Sequence, residues 1–501
     1  MLEDMDVVSP NTRTNRASWW PDLHDFLHAT LPPECVLSDN DSLTPYQSDG
    51  LTAYAQTPPI AALPTSTEQV SAILGYCHKK QIKIVPRGAG TSLSGGALPL
   101  ADGLLLVTSK LNRILDLDPD NRCARVQACV ANLAISEAAS PHGLLYAPDP
   151  SSQIVCSIGG NVAENAGGVH CLKYGLTTNN LMGLTAVLID GTVLELGGAH
   201  LDNDGLDLIG ILTGSEGLLA VITEVTVRLT PIPPEQRAML IGFDRVEDAA
   251  HCVSAIIAEG IIPAGLEMMD QIALRATDAY SKAGYPLEAA AILIAEVDGT
   301  GNEIDEVIGK IKTIAQGQNA SSLRISENEE QRQRFWAGRK AAFPAMAALA
   351  PDYYCVDGSI PRKDIAKVLS KITELGRAAN LPVANVFHAG DGNLHPLILY
   401  DRSQPGQLEK AEQLGNDILK FCVDVGGALT GEHGVGIEKR GLMEYQFDQT
   451  DLAQQQRVKC AFDPNQLLNP GKVFPTLHRC AELGRMHVHH GKIPFSDIPR
   501  F

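Results

Sequence analysis

From Pro59 onward, short apolar runs alternate with amphipathic stretches along this chain. Ile60–Leu63 and Ile82–Val85 are compact apolar runs that read as strands. Between them, Ser66–Lys79 sets Val70, Ile73, Leu74 and Cys77 at helical spacing, so one helix face is apolar. Leu104–Val107, Ala124–Ala128 and Leu184–Ile189 continue the strands. Ala131–Ala139 reads as a helix opened by Asn132 or a polar neighbour. Val221–Leu229 alternates apolar and polar residues, the period-two signature of a half-buried strand. Nearer the start, Ser18–Leu31 reads as a capped amphipathic helix.

Pro231-Ile232-Pro233-Pro234 interrupts the pattern as a domain boundary does. Beyond it, Met239–Phe243, Gly265–Met269, Ala291–Glu296 and Pro382–His388 read as strands. Helices near Val246–Glu259, Ile304–Gln316, Glu327–Ala348 and Lys363–Ala379 separate them, and Gln407–Val425 and Asp451–Phe462 are helical. The predicted class is α+β. Its parts are a helical segment over 1–50, a first domain over 51–234, a second over 235–430, a C-terminal segment over 431–475 and a tail over 476–501. A chain of 501 residues is too long for one core, which agrees with that division.

Composition narrows the partners. A net charge of −19 repels a nucleic-acid backbone, so no nucleic acid is expected. No stretch approaches the ~20 apolar residues of a membrane span. The acidic start Met-Leu-Glu-Asp-Met-Asp lacks an export signal's basic and apolar regions. The expectation is a cytoplasmic protein that meets a membrane only through a partner. Eleven cysteines without a C-x-x-C exclude the common iron–sulfur and zinc-ribbon spacings.

The candidate chemistry lies late in the chain. His388 and His395 bracket the turn Gly390-Asp391-Gly392-Asn393, and Gly431-Glu432-His433-Gly434 follows. Imidazole with carboxylate suits zinc, manganese or iron and hardly suits calcium or magnesium. A hairpin-like turn brings the two histidines together. Glu432 and His433 are adjacent, so on an extended segment one can bind a metal while the other faces substrate.

Three small-residue loops occur in the first domain. Pro86-Arg87-Gly88-Ala89-Gly90-Thr91-Ser92 follows a strand, and its glycines allow backbone amides to converge on an anion such as a pyrophosphate. It is neither a P-loop nor a Rossmann G-x-G-x-x-G. Pro148-Asp149-Pro150 leads into Ser157-Ile158-Gly159-Gly160-Asn161 and Gly167-Gly168, then Lys173-Tyr174-Gly175. Thr213-Gly214-Ser215-Glu216-Gly217 is the third loop. Three such loops in one domain argue for one extended ligand.

Together, these loops resemble the FAD-binding domain of the vanillyl-alcohol-oxidase superfamily. The Gly390–His395 and Gly431–Gly434 segments resemble its FAD-linked 2-hydroxy acid dehydrogenase branch, over roughly residues 45 to 475. Phe335-Trp336-Ala-Gly-Arg339, Pro351-Asp-Tyr353-Tyr354-Cys355-Val-Asp357 and Thr476-Leu-His478-Arg-Cys480 are similar to the FAD-linked subunits of bacterial glycolate oxidases. The resemblance implies a two-subdomain FAD-binding domain, an α+β substrate (cap) domain and a C-terminal helical segment returning to the flavin. It implies non-covalent FAD, since Gly90-Thr91 stands where covalent members place a histidine.

By the same resemblance, Pro86 to Ser92 cradle the pyrophosphate. Pro148, Asp149, Ser157, Gly160, Asn161, Gly167 and Gly168 line the dinucleotide, and Ile222 touches the adenosine end. Tyr174, Gly175, Glu216 and Asn469 complete the cofactor-binding set. His388, His395 and Glu432 hold a divalent metal, zinc or manganese favoured over iron. His433 is the base, with a pKa near the operating pH, and Arg339 clamps the substrate carboxylate. Tyr353 and Tyr354 read as pocket walls or core. The implied reaction is oxidation of a small (D)-2-hydroxy acid, glycolate foremost, with D-lactate or D-2-hydroxyglutarate as alternatives. A lysine near Cys355, present in the 2-hydroxyglutarate enzyme, is absent here, which argues for a monocarboxylate. The implied partners are a second FAD-domain subunit and an iron–sulfur subunit. A metal-dependent hydrolase and a silent nucleotide-binding subunit are readings from other classes. The first leaves the glycine loops unexplained, and the second leaves Glu432-His433 unexplained.

Overall fold

The computed structural model describes residues 19–200 and 205–475. The histidine-rich tail from His478, which the sequence suggests as a docking peptide, lies outside the described residues.

Three larger sheets order the chain, beside a two-stranded one that pairs Leu144–Leu145 with Thr230–Pro231. In the first, Ile60–Ala62, Gly103–Val107 and Lys83–Arg87 run parallel, and Val36–Leu37 pairs antiparallel at one edge. Ser66 caps the helix Thr67–Lys80 by accepting from the Gln69 amide, and Val70, Ile73, Leu74 and Cys77 are fully buried, as the spacing predicts. The helix Trp20–Thr30 adds Leu23 and Leu27 to the same core, as do Leu467 and Leu468 from the far end. Its N-cap is Trp19 with no capping side chain, so the predicted cap is absent.

The second sheet is antiparallel, in the order Ile114–Asp118, Cys123–Gln127, Val221–Arg228, Leu181–Val187, Val193–Gly197. Its two edge strands are largely exposed, so they carry no apolar run for the sequence to reveal. The helix here, Asn132–Ala139, is not opened by Asn132. Ala131 is its N-cap, because the Asn132 amide is spent on the Pro148 carbonyl (2.8 Å) and on Asn161 (2.8 Å).

The third sheet carries eight antiparallel strands. Their path is Ala320–Ile325, Glu235–Phe243, Ala291–Gly299, Gly265–Asp270, Val383–His388, Asn393–Tyr400 and Asp352–Cys355, with Gly358–Ser359 also pairing to Asn393–Tyr400. Helices cover both faces, which is why these strands read as continuous apolar runs. Met239, Ile241 and Phe243 face Val246–Ala258, Gly301–Gly317, Ile365–Ala379 and Gln407–Asp424. Ala238 and Leu240 face Gln271–Ser281 and Glu329–Lys340. Each large apolar side chain buried there contributes about 1.5–3 kcal/mol.

The long helix expected over Glu327–Ala348 divides. Asn328 caps Glu329–Lys340, and a short helix Ala342–Ala345 follows. Pro344 has no N–H, and its ring would meet the Lys340 carbonyl in a continuous helix. That break decides which side chains reach the site. Among the described residues, no helix is long and apolar enough to cross a membrane.

Candidate active site

Val383–His388 and Asn393–Tyr400 form a hairpin in which Val386 opposes His395 and His388 opposes Asn393. The turn expected from its glycines therefore brings both histidines to one end of the third sheet. Their rings lie 5.2 Å apart, edge to face. Glu432 arrives from the C-terminal segment. Its Oε1 lies 3.3 Å from His388 Nε2 and 3.1 Å from His395 Nε2. Two imidazoles and a carboxylate thus converge, all largely buried.

Glu267 stands behind them. Its Oε1 accepts from His388 Nδ1 at 2.8 Å, which fixes the ring and leaves Nε2 aimed at Glu432. Its Oε2 accepts from Arg339 Nε at 2.8 Å. Burial alone would lower the His388 pKa, but Glu267 and Glu432 hold it well above the usual imidazole value. Burial would raise Glu432, but His388 and His395 hold it well below the usual carboxylate range.

His433 stacks on His395 with centroids 5.0 Å apart. Burial, the dominant cause, pushes its pKa down to about 4, so the ring is neutral. The expected pKa near operating pH is corrected accordingly: desolvation outweighs Asp357. His433 Nδ1 is buried without a hydrogen-bond partner, which leaves Nε2 as the nitrogen on the open side. Cys355, His395 and His433 form a second convergence sharing His395. Burial raises the Cys355 thiol far above its usual value, which disfavours a thiolate ligand.

A cavity of about 440 Å³ opens between this cluster and the glycine loops. It is lined by Pro86 to Ser92, Ser157, Gly160, Asn161, Glu216 and Ile222, and on the other side by His395, Glu432 and His433. The loops touch one another: a Cβ on Gly88 would lie 2.4 Å from Ser157 Oγ, and Gly90 takes φ +72° against the Arg87 guanidinium.

Several expected residues lie off the cavity wall. Pro148 offers its carbonyl to Asn132, and Asp149 holds His170 through Nδ1 at 2.8 Å. Gly167 turns its amide to Glu432 Oε2 at 3.1 Å, serving the metal-ligand candidate instead of a dinucleotide. Gly168 packs on the Asp149 carbonyl. Tyr174 donates to Asp298, and Gly175 ends the Cys171–Tyr174 helix with φ +82°. Asn469 ties two loops together, donating to Gly96 O (3.1 Å) and Glu216 O (2.8 Å). Arg87 lines the cavity, with its guanidinium donating to Ser48 O at 2.7 Å and lying over the Tyr46 ring. Arg339 is also corrected. It is 2% exposed and absent from the cavity wall, with Nε held by Glu267 and Nη2 buried without a partner.

Sequence reasoning missed Glu267, Asp357, Glu164 and Lys340. Glu267 had a signal, an acid in the middle of the apolar strand Gly265–Asp270. Asp357 accepts from the amides of Gly431 (2.9 Å) and His433 (3.0 Å), the Thr430 hydroxyl (2.7 Å) and Lys439 Nζ (3.0 Å). Glu164 and Lys340 line the cavity, as does Tyr353, while Tyr354 is buried in the core.

Comparison with known proteins decides the family. The chain is 54% identical over 475 residues to "Glycolate oxidase subunit GlcD" of Escherichia coli (strain K12), covering 95% of each. It belongs to the FAD-linked oxidases of the glycolate oxidase D-subunit type. This FAD-linked 2-hydroxy acid oxidoreductase matches the family "FAD binding domain" over residues 58–197 and "FAD linked oxidases, C-terminal domain" over 232–473. It is 36% identical to the "Glycolate oxidase subunit GlcD" of Bacillus subtilis (strain 168), over 90% of this chain and 97% of that one. It is 34% identical to a "D-lactate dehydrogenase" of Archaeoglobus fulgidus, over 85% and 95%. The fold of the oxidoreductase also matches p-cresol methylhydroxylase with substrate bound, at TM-score 0.78 and 17% identity, covering 93% and 99%. That agrees with the α+β, vanillyl-alcohol-oxidase-type architecture expected from the sequence.

Proposed function

We propose that this oxidoreductase converts a small (D)-2-hydroxy acid, glycolate foremost, to its keto acid where the first lobe meets the third sheet. One observation carries the reading: the glycine loops and His395, Glu432 and His433 line a single cavity. A dinucleotide fits the first wall, which is made of backbone and small side chains, with the buried Glu164 Oε2 still lacking a partner. Bound non-covalently there, FAD would supply a two-electron acceptor for hydride. The donor set of His388, His395 and Glu432 suits zinc or manganese, which would supply Lewis acidity toward a substrate hydroxyl.

The chain's own residues do the rest. His433, held neutral by burial, accepts the hydroxyl proton at Nε2. Glu267 and Arg339 orient His388, and Asp357 places the backbone of Glu432 and His433. Arg339 would act on substrate only through its free Nη2. The glycolate oxidase names of the relatives support glycolate, and the dehydrogenase relative supports D-lactate as the alternative. D-2-hydroxyglutarate is disfavoured because a lysine near Cys355, suited to a second carboxylate, is absent.

The word "subunit" in the relatives' names supports an assembly. We take the partners to be a second FAD-domain subunit and an iron–sulfur subunit, since this chain has no C-x-x-C to pass electrons through. A cytoplasmic location, with membrane association only through such a partner, follows from the same reading.

Anaerobic mixing of the purified yellow protein with glycolate, D-lactate and D-2-hydroxyglutarate tests the activity. Bleaching of the flavin absorption is expected, fastest with glycolate. No bleaching with any of them overturns the reading, and full physiological acceptor activity from the isolated chain overturns the partners.

A further inference from the structure

Resting on the reading of Glu432 as a metal ligand, we propose that His170 is a positioning residue, a charged bridge between the first lobe and the third sheet that holds the Gly167 amide on Glu432. The ring meets a carboxylate at each nitrogen, Asp149 Oδ2 at 2.8 Å from Nδ1 and Glu296 Oε1 at 3.1 Å from Nε2. Asp149 Oδ1 also accepts from the His170 backbone amide at 3.0 Å, and Glu296 Oε2 accepts from Arg332 Nη1 at 2.7 Å and from Trp336 Nε1. Both acids therefore act as acceptors through both oxygens. A neutral imidazole has one N–H and would turn a lone pair on one of them, whereas the imidazolium donates to both. The charges around the ring agree. Asp149 and Glu296 are the acids that face it, Arg332 supplies one cation, and Lys173 is taken by Asp298, so His170 supplies the other. Burial alone would lower the pKa of the ring, but Asp149 and Glu296 hold it well above the usual imidazole value.

The bridge joins two parts of the fold. Asp149 and His170 come from the domain of the glycine loops, and the fully buried Glu296 comes from the strand Ala291–Gly299. None of the three lines the cavity, so His170 acts through the segment that carries it. Gly168 packs against the Asp149 carbonyl, where a Cβ would lie at 2.4 Å, so the chain from Gly167 to His170 rests closely on Asp149. Gly167 N donates to Glu432 Oε2 at 3.1 Å, and that bond leaves Oε1 turned toward His388 and His395. Loss of the charge at 170 releases the segment from the third sheet and weakens its hold on Glu432.

The test uses full-length FAD-loaded protein with His170→Gln, which is neutral, and His170→Arg, a cation able to donate to both acids. Two quantities are read: amide hydrogen exchange of the peptide carrying Gly167, and Zn²⁺ affinity by chelator competition. His170→Gln is expected to speed the exchange and weaken Zn²⁺ binding about tenfold, and His170→Arg to restore both. In wild type labelled with ¹⁵N-histidine, a ring protonated on both nitrogens should persist at about pH 8, above the ordinary imidazole range, and be missing from His170→Arg. A neutral ring at 170 overturns the assignment, as does a His170→Arg protein as loose as His170→Gln. Where wild type binds Zn²⁺, unchanged exchange or unchanged affinity in His170→Gln overturns it too. Faster exchange in His170→Gln, reversed in His170→Arg, with no Zn²⁺ bound by wild type, keeps the bridge and removes Glu432 from metal binding instead.

Discussion

Lys439 Nζ lies 3.0 Å from Asp357 Oδ2 with both side chains fully buried, and this pair anchors the loop bearing Glu432 and His433. Burial alone would push the Asp357 carboxyl up. Lys439, His433 and His395 outweigh it and hold it far below the usual carboxylate range. The two partners are not equivalent. Without Lys439, Asp357 still accepts from Thr430, Gly431 and His433, whereas without Asp357 those loop donors lose their acceptor and the ammonium keeps Thr430 Oγ1, the Gly434 carbonyl and, at 3.6 Å, Glu438 Oε2. Asp357→Ala should therefore cost about 3–5 kcal/mol in urea unfolding, and Lys439→Met distinctly less. Equal losses would mean that the carboxylate does not organise the loop.

Glu267 should matter to metal retention without touching the metal. Its carboxylate can only accept, so it forces the proton onto His388 Nδ1 and frees Nε2 for ligation. Glu267→Gln can present an amide N–H to that ring and turn the tautomer over. Metal affinity, measured by chelator competition, is expected to fall about 10- to 100-fold while the flavin spectrum is retained. Unchanged affinity would remove His388 from the ligand set.

The sequence exposes what is local and hides what is not. The Ser66 cap, the Thr67–Lys80 helix and the His388–His395 hairpin each depend on residues a few positions apart, so their patterns are visible. The Glu267–His388 bond joins residues 121 positions apart, and Asp357 reaches His433 across 76, so no spacing rule announces either. The strand Ala320–Ile325 escapes notice because it is a half-exposed sheet edge with no apolar run. Arg339 shows a subtler limit. Its place in a recognisable motif suggests substrate contact, yet a single-residue step around the helix separates the buried 339 from 340 on the cavity wall.

His433 should be separable from cofactor binding. Its ring lines the cavity beside His395, but the glycine loops lie on the opposite wall. His433→Ala is expected to keep FAD bound, seen as an unchanged flavin to protein absorbance ratio. Its anaerobic reduction by substrate should slow by about 10²- to 10⁴-fold. Loss of flavin with the substitution would assign the ring to cofactor retention, and an undiminished rate would exclude it as base.

Asp49 gives the protein a pH dependence with a definite sign. Its side chain is 5% exposed, and burial lifts its pKa from 3.8 to about 6, although Oδ1 and Oδ2 accept from the amides of Leu51 (3.0 Å) and Ala97 (3.4 Å). A carboxyl raised on folding binds more protons in the native state than in the unfolded chain. Its stabilisation is complete below pH 3.8 and is lost as pH rises through about 6. The swing is on the order of 2–3 kcal/mol. Asp49→Asn keeps an acceptor for the shorter Leu51 contact and cannot ionise. Stability of the two proteins, measured by urea titration from pH 4 to 8, should therefore not run parallel. The wild type should lose ground to the variant between pH 4 and 6, and the difference should be constant above pH 7. Parallel curves would show that Asp49 ionises in the folded protein as freely as in the unfolded chain.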